Sequence, residues 1–121
     1  MVADMVTAAL RTDHFDTVSA FFSITHLPRG QHRQLLQRVG DWLRAGGVFV
    51  ASMGATAAAD VTEPNWLGVP MFFSHFDAAT NLELVRAAGL QLCHHEIISH
   101  DEDGKDVRFL WLIARKPTAP C

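Results

Sequence analysis

Apolar and polar residues follow two rhythms along this chain. Over residues 31–44 the apolar positions are Leu35, Leu36, Val39, Trp42 and Leu43, a spacing that gathers them on one stripe of a helix. Ala45-Gly46-Gly47 comes next, and glycine takes the left-handed conformation that ends helices at little steric cost. Short apolar runs lie on either side, at 16–24 (DTVSAFFSI) and 48–53 (VFVASM). Their β-branched and aromatic content predicts strands buried on both faces. Strand, helix and strand with short links predict a parallel pair joined by a right-handed crossover.

The pattern loosens over 54–75. An alanine-rich patch is followed by EPNWLGVPMFFSH, where Pro64, Gly68 and Pro70 interrupt large apolar side chains. An irregular, loop-like segment is expected, although it is more apolar than a solvated loop requires. Asp77 is a good N-cap for a helix over 78–88, with Gly89 as its stop. Residues 90–99 and 106–115 read as extended runs around HDEDGK, and so as an antiparallel hairpin. Residues 117–121 read as a tail.

At 121 residues, the chain has room for one domain. A net charge of −3 and the lack of a basic stripe argue against nucleic acid or anionic membrane as partners. No apolar run approaches the ~20 residues of a membrane span. The first residues carry no basic leader, and the cytoplasm is the expected compartment. Cys93 and Cys121 form neither a disulfide framework nor a metal spacing. In His94-His95-Glu96, neighbouring side chains on a strand point to opposite faces, so no metal site is expected. DEDGK is too short for a calcium loop.

The order of elements, with the words ADM (3–5), FDTVSAFFSITHLP (15–28), LLQRVGDWLRAGGVFVAS (35–52), WLGVPMFFSHFD (66–77), LVRAAGL (84–90) and RFLWLIARKP (108–117), resembles the carboxyl-terminal half of a class I S-adenosylmethionine-dependent methyltransferase. The tryptophan-to-histidine segment within 66–77, followed by RFLWLIARKP, looks like a narrower bacterial group that methylates small molecules. The resemblance implies an α/β fold, a partial Rossmann-like sheet from a family whose strand order is 3-2-1-4-5-7-6. Residues 17–23 would be strand 4, 48–53 strand 5 and the terminal hairpin strands 6 and 7, giving 4-5-7-6 with helices on the faces. Strands 1 and 2 would be absent, and with them the glycine-rich turn under the cofactor's methionine moiety and the acidic residue for its ribose. No GxGxG occurs in the sequence.

The resemblance also assigns roles. His26, just past a strand's carboxyl end, would face the methyl-transfer region as a base or orienting donor; read from the residues alone, it equally caps the turn into Pro28. Asp4 would accept from the adenine amino group, with Met5 packing near the ring. Phe21, Phe22 and Ser23 would floor the cofactor's amino-acid part, or simply belong to strand core. Residues 54–76 would lid the acceptor, placing Trp66, Met71, Phe72 and His75 on the substrate side. With strand 1 missing, the 17–24 edge would be long, flat and unguarded, which predicts a homodimer through it. The function expected is methyl transfer from S-adenosylmethionine to a small molecule, weak or absent in this chain alone. The alternative is a non-catalytic dimerisation or binding module of methyltransferase descent.

Overall fold

A computed structural model describes residues 9–66, 68–102 and 104–118. Strand β1 (Phe15–Ala20) leads through two short 3₁₀ turns, Ile24–His26 and Arg29–Gln31, into helix α1 (His32–Trp42) and strand β2 (Leu43–Gly54). A hairpin of β3 (Ala58–Trp66) and β4 (Val69–His75) follows, then helix α2 (Ala78–Ala87) and a second hairpin, β5 (Gln91–Glu102) and β6 (Lys105–Arg115). The main sheet runs β1-β2-β6-β5, with β1 and β2 parallel and both β6 pairings antiparallel. The parallel pair and terminal hairpin expected from the sequence are therefore both present.

Both helices pack on one face of this sheet. The α1 stripe of Leu35, Leu36, Val39 and Trp42 meets Phe49, Ala51 and Met53 of β2 and Leu110, Leu112 and Ala114 of β6. Burying a large aliphatic or aromatic side chain contributes about 1.5–3 kcal/mol, so this alternation in β2 and β6 fixes which face turns inward. Helix α2 adds Leu84 and Val85. Its start is set by Asp77, whose carboxylate accepts from the Thr80 N–H at 2.8 Å. Hydrogen bonding from the Thr80 side chain, and then from its backbone N–H, holds the Asp77 carboxyl below its usual range. Gly40 lets the two helices approach, since a Cβ there would sit 3.0 Å from the Ala88 carbonyl.

The structure departs from the sequence pattern in several places. β1 stops at Ala20 instead of reaching residue 24, and Asp16, Thr17 and Ser19 are exposed, so it is not buried on both faces. Phe22 ends it by adopting φ 54, a left-handed conformation that costs a bulky residue about 1–2 kcal/mol. The outer edge of β1 is accordingly shorter than the sequence implied. Helix α1 ends at Trp42, before the glycines, because Leu43 is already extended. Gly46, at φ 83, instead shapes the start of β2, where it exchanges backbone hydrogen bonds with Lys116 through Gly46 N and Gly47 O.

The segment expected to be irregular is a two-stranded sheet separate from the main one. Val61, Thr62 and Glu63 pair with Phe73, Phe72 and Met71. Pro64 and Pro70 are tolerated because both strands of a lone hairpin are edge strands, where a missing N–H is harmless. Gly68, at φ 88, lies in the turn, and Asp60, at φ 48, lies where the register shifts between Ala58 and Val61.

Candidate functional site

The carboxyl ends of β1 and β2 lie side by side, where open α/β sheets place their ligands. A cleft of about 830 Å³ opens there. Phe22, Thr25 and His26 come to it from the end of β1 and the turn behind it, and Gly54 and Thr56 from the end of β2. The β3–β4 hairpin supplies a wall with Glu63, Phe73 and His75, and the start of β6 supplies another with Val107 and Phe109. Asp106 and Arg108 stand at its mouth with well-exposed side chains, 3.8 Å apart.

Polar contacts fasten the hairpin wall to the turn after β1. His26 Nδ1 lies 2.8 Å from the Phe72 carbonyl oxygen. A carbonyl can only accept, so Nδ1 carries the hydrogen and the neutral ring presents its lone pair at Nε2. The ring also packs on Phe73, centroids 5.1 Å apart. Ser74, fully buried, accepts from Arg29 N–H at 2.8 Å and donates to the Asp60 carboxylate at 2.8 Å. Below the wall, the His75 ring lies against Gly54, where any side chain would overlap it.

Two further buried polar groups frame the site. Asn81 of α2 donates to the carbonyls of Gly54 at 2.8 Å and Phe76 at 3.1 Å, holding the end of β2. His32 at the head of α1 is 1% exposed and donates from Nε2 to the Leu27 carbonyl at 3.0 Å. Burial lowers its pKa below 6.5 because the charged ring would lose its hydration, outweighing the opposite pull of the Leu27 and Ile24 carbonyls.

His26, Phe22 and His75 thus converge on one cleft. Phe21 stands beside it, its ring 5.8 Å from Trp111. Phe22 rests on Phe109 and Trp111 at 5.1 and 5.4 Å, and its N–H donates to Ser52 Oγ at 2.7 Å. Ser23 precedes the first 3₁₀ turn, and its carbonyl accepts from the His26 N–H at 3.1 Å. On the hairpin, Met71 pairs with Glu63, whereas Phe72 pairs with Thr62 on the opposite face. Phe72 meets His26 through its carbonyl, and the ring in the cleft wall is Phe73. The backbone of Trp66 pairs with Val69. Asp4 and Met5 lie outside the described residues.

Sequence reasoning missed Glu63, Thr56, Asp106 and Arg108, which line the cleft as ordinary polar residues of turn-rich stretches. The available signal was alternation: Glu63 falls two residues after Val61 and faces the same way in an extended hairpin. His94 Nε2 and Glu96 Oε2 approach to 3.5 Å on β5. Among the described residues, no group of three or more His, Cys, Asp or Glu is placed to hold a metal, and no helix is long and apolar enough to cross a membrane.

No family model and no curated protein matches this chain. Solved structures do. An S-adenosylmethionine-dependent methyltransferase from Methanosarcina mazei matches with a TM-score of 0.81 at 13% identity, over 98% of this chain and 67% of its own. The 1,6-didemethyltoxoflavin-N1-methyltransferase of Burkholderia thailandensis, solved with 1,6-didemethyltoxoflavin and S-adenosylhomocysteine, gives 0.71 at 18% identity, over 95% of this chain and 49% of its own. The (4+2)-cyclase SpnF gives 0.75 at 16% identity, over 98% of this chain and 56% of its own. This chain therefore spans between about half and two thirds of these structures. At such low identity what is shared is the fold, and it is the fold of S-adenosylmethionine-dependent methyltransferases.

Proposed function

We propose that this chain is the carboxyl-side part of an S-adenosylmethionine-dependent methyltransferase for a small molecule, with the cleft beside His26 as the acceptor site. The observation that carries the reading is the position of that cleft. It lies at the carboxyl ends of the parallel strands in a methyltransferase-type sheet, closed on one side by the β3–β4 hairpin. In this reading β1, β2, β6 and β5 are strands 4, 5, 7 and 6 of the family order, and the hairpin is the acceptor lid. A structural neighbour with the same fold is named a 1,6-didemethyltoxoflavin-N1-methyltransferase, so this fold does serve small-molecule acceptors.

The described residues fit one side of the cofactor. Phe21 and Phe22 are 48% and 43% exposed at the end of β1, unusual for rings this large, and offer an apolar floor. Ser23, with Asp4 and Met5, completes the assignment carried by the resemblance. S-adenosylmethionine, when bound, supplies an electrophilic methyl group on a sulfonium. The chain's own residues then have separate tasks. Phe22 and Phe73 exclude water from the cleft, the hairpin orients the acceptor, and His26 removes the acceptor's proton at Nε2. The bond from Nδ1 to the Phe72 carbonyl fixes the tautomer this requires. Without a glycine-rich turn in the sequence, binding and turnover by this chain alone are weak.

Calorimetric titration with S-adenosylmethionine and S-adenosylhomocysteine tests the reading. A Kd tighter than ~100 µM, about −5.5 kcal/mol, supports it, and no binding refutes it for the isolated chain. In an active assembly, His26→Ala lowers kcat by about 100-fold or more if His26 is the base. His26→Asn, which keeps an N–H for the Phe72 carbonyl, is equally impaired; recovery in that variant would make the residue architectural.

One observation favours a second reading, a homodimerising module. Among the described residues no strand pairs with the outer edge of β1, and no lysine or proline guards it. Two copies pairing antiparallel there would close the edge. A monomeric mass by light scattering at micromolar concentration would eliminate this reading.

A further inference from the structure

The cleft is asymmetric in charge, and the asymmetry bears on what fills it. Three phenylalanine rings line it from opposed sides: Phe73 on the hairpin, Phe22 and Phe109 on the sheet. Phe22 and Phe109 stand edge to face, 5.1 Å apart at 88°. Such walls take a flat apolar body, and their ring faces attract a cation. At the mouth, Asp106 and Arg108 are exposed and carry opposite charges 3.8 Å apart, which offset each other for a ligand and leave Glu63 as the excess charge of the lining.

Glu63 is different. It lines the cleft half-buried, and among the described residues it has neither a hydrogen-bond nor an ion-pair partner. The Nδ1 of His75, on the same wall, is buried and equally without a partner. A half-buried carboxylate without a protein partner attracts a cation or an N–H donor and opposes an anion.

We infer that the cleft selects a flat aromatic amine in its cationic form, with Glu63 as the residue that recognises the nitrogen. The inference rests on reading this cleft as the acceptor site, and it specifies the acceptor's class. The aromatic body lies between Phe73 and the Phe22–Phe109 pair, and the ammonium group faces Glu63.

Fluorescence-independent calorimetry with three probes of one ring system tests it: tryptamine (cationic), 3-methylindole (neutral) and indole-3-acetate (anionic), at pH 8 and low salt. Tryptamine binds tightest and indole-3-acetate weakest, with about a tenfold or larger difference between them, the scale of one well-placed charge contact. Glu63→Gln brings the cationic and anionic probes to within about threefold, and Glu63→Lys inverts their order. Unchanged circular dichroism certifies that each variant folds. Equal or tighter binding of indole-3-acetate to the unaltered chain overturns the inference. So does a preference that survives Glu63→Gln, or a failure of all three probes to bind. A parallel S-adenosylmethionine titration separates the two levels: tryptamine binding without S-adenosylmethionine binding leaves the charge selection standing and refutes cofactor binding by the isolated chain.

Discussion

Gly54 is where the main sheet and the hairpin wall touch most closely, and replacing it measures that contact. Gly54 is buried and closes β2, and it is not among the glycines with positive φ, so its backbone accepts alanine. The obstacle is steric. A Cβ there would lie 2.7 Å from the His75 Cβ and nearer still to the imidazole, where ordinary contact begins at 3.4 Å. The hairpin wall has to retreat by roughly 1 Å, and overpacking of that kind costs about 1–3 kcal/mol. At about 2 kcal/mol the Tm of a domain this size falls by about 8 °C. In a His75→Gly background, which removes the Cβ as well as the ring, the obstruction is gone, and Gly54→Ala becomes neutral or slightly stabilising because alanine restricts the unfolded chain. The double-mutant cycle, read by urea or thermal unfolding, returns a coupling of about 1 kcal/mol or more between the two positions. Equal cost in both backgrounds, or no cost in the unaltered chain, refutes the packing argument.

Asn81→Ala leaves the Gly54 and Phe76 carbonyls without a donor, and unfolding in urea registers a loss of about 2–4 kcal/mol. Ser74→Ala removes the acceptor for Arg29 N–H and the donor to Asp60, costing about 1–3 kcal/mol and loosening His26, seen as a change in its imidazole resonances. Stability also depends on pH through His32. The unfolded ring takes its proton near 6.5 and the folded one only at lower pH, so the unfolded state binds more protons in between. Stability is full above about 6.5 and declines as pH falls toward the folded-state value; His32→Gln, which keeps a donor for the Leu27 carbonyl, flattens that part of the profile. Thr17→Lys on the exposed side of β1 lowers the light-scattering mass if that edge joins two copies.

How much of this was legible before the structure depends on the kind of force involved. Helix α1 was, because Leu35, Leu36, Val39 and Trp42 are a stripe and hydrophobic burial acts on a stripe as a whole. Helix α2 was, through the Asp77 cap, and the terminal hairpin was, through its glycine turn. The β3–β4 hairpin was not: Pro64 and Pro70 are punctuation in a central strand but harmless in a lone pair. Nothing local announces the φ of 54 at Phe22, since its neighbours Ser52, Phe109 and Trp111 come from distant parts of the chain. His26 was placed at the strand end from its flanking residues, but its carbonyl partner 46 positions away was invisible. Buried polar groups such as Asn81 and Ser74 are chosen by geometry between elements, and one-dimensional patterns carry little of it.

The hairpin's separation from the main sheet gives the molecule two clocks. Among the described residues its backbone ladder joins β3 only to β4, and side-chain hydrogen bonds at His26 and Ser74 tie it to the turn after β1. Such a unit can detach and reseat while β2 and β6 remain paired. In hydrogen exchange, residues 61–73 should trade their protons well before residues 48–53 and 109–115. The cleft would then fill and empty on the timescale of a small local opening, untouched by the slow unfolding of the core beneath it.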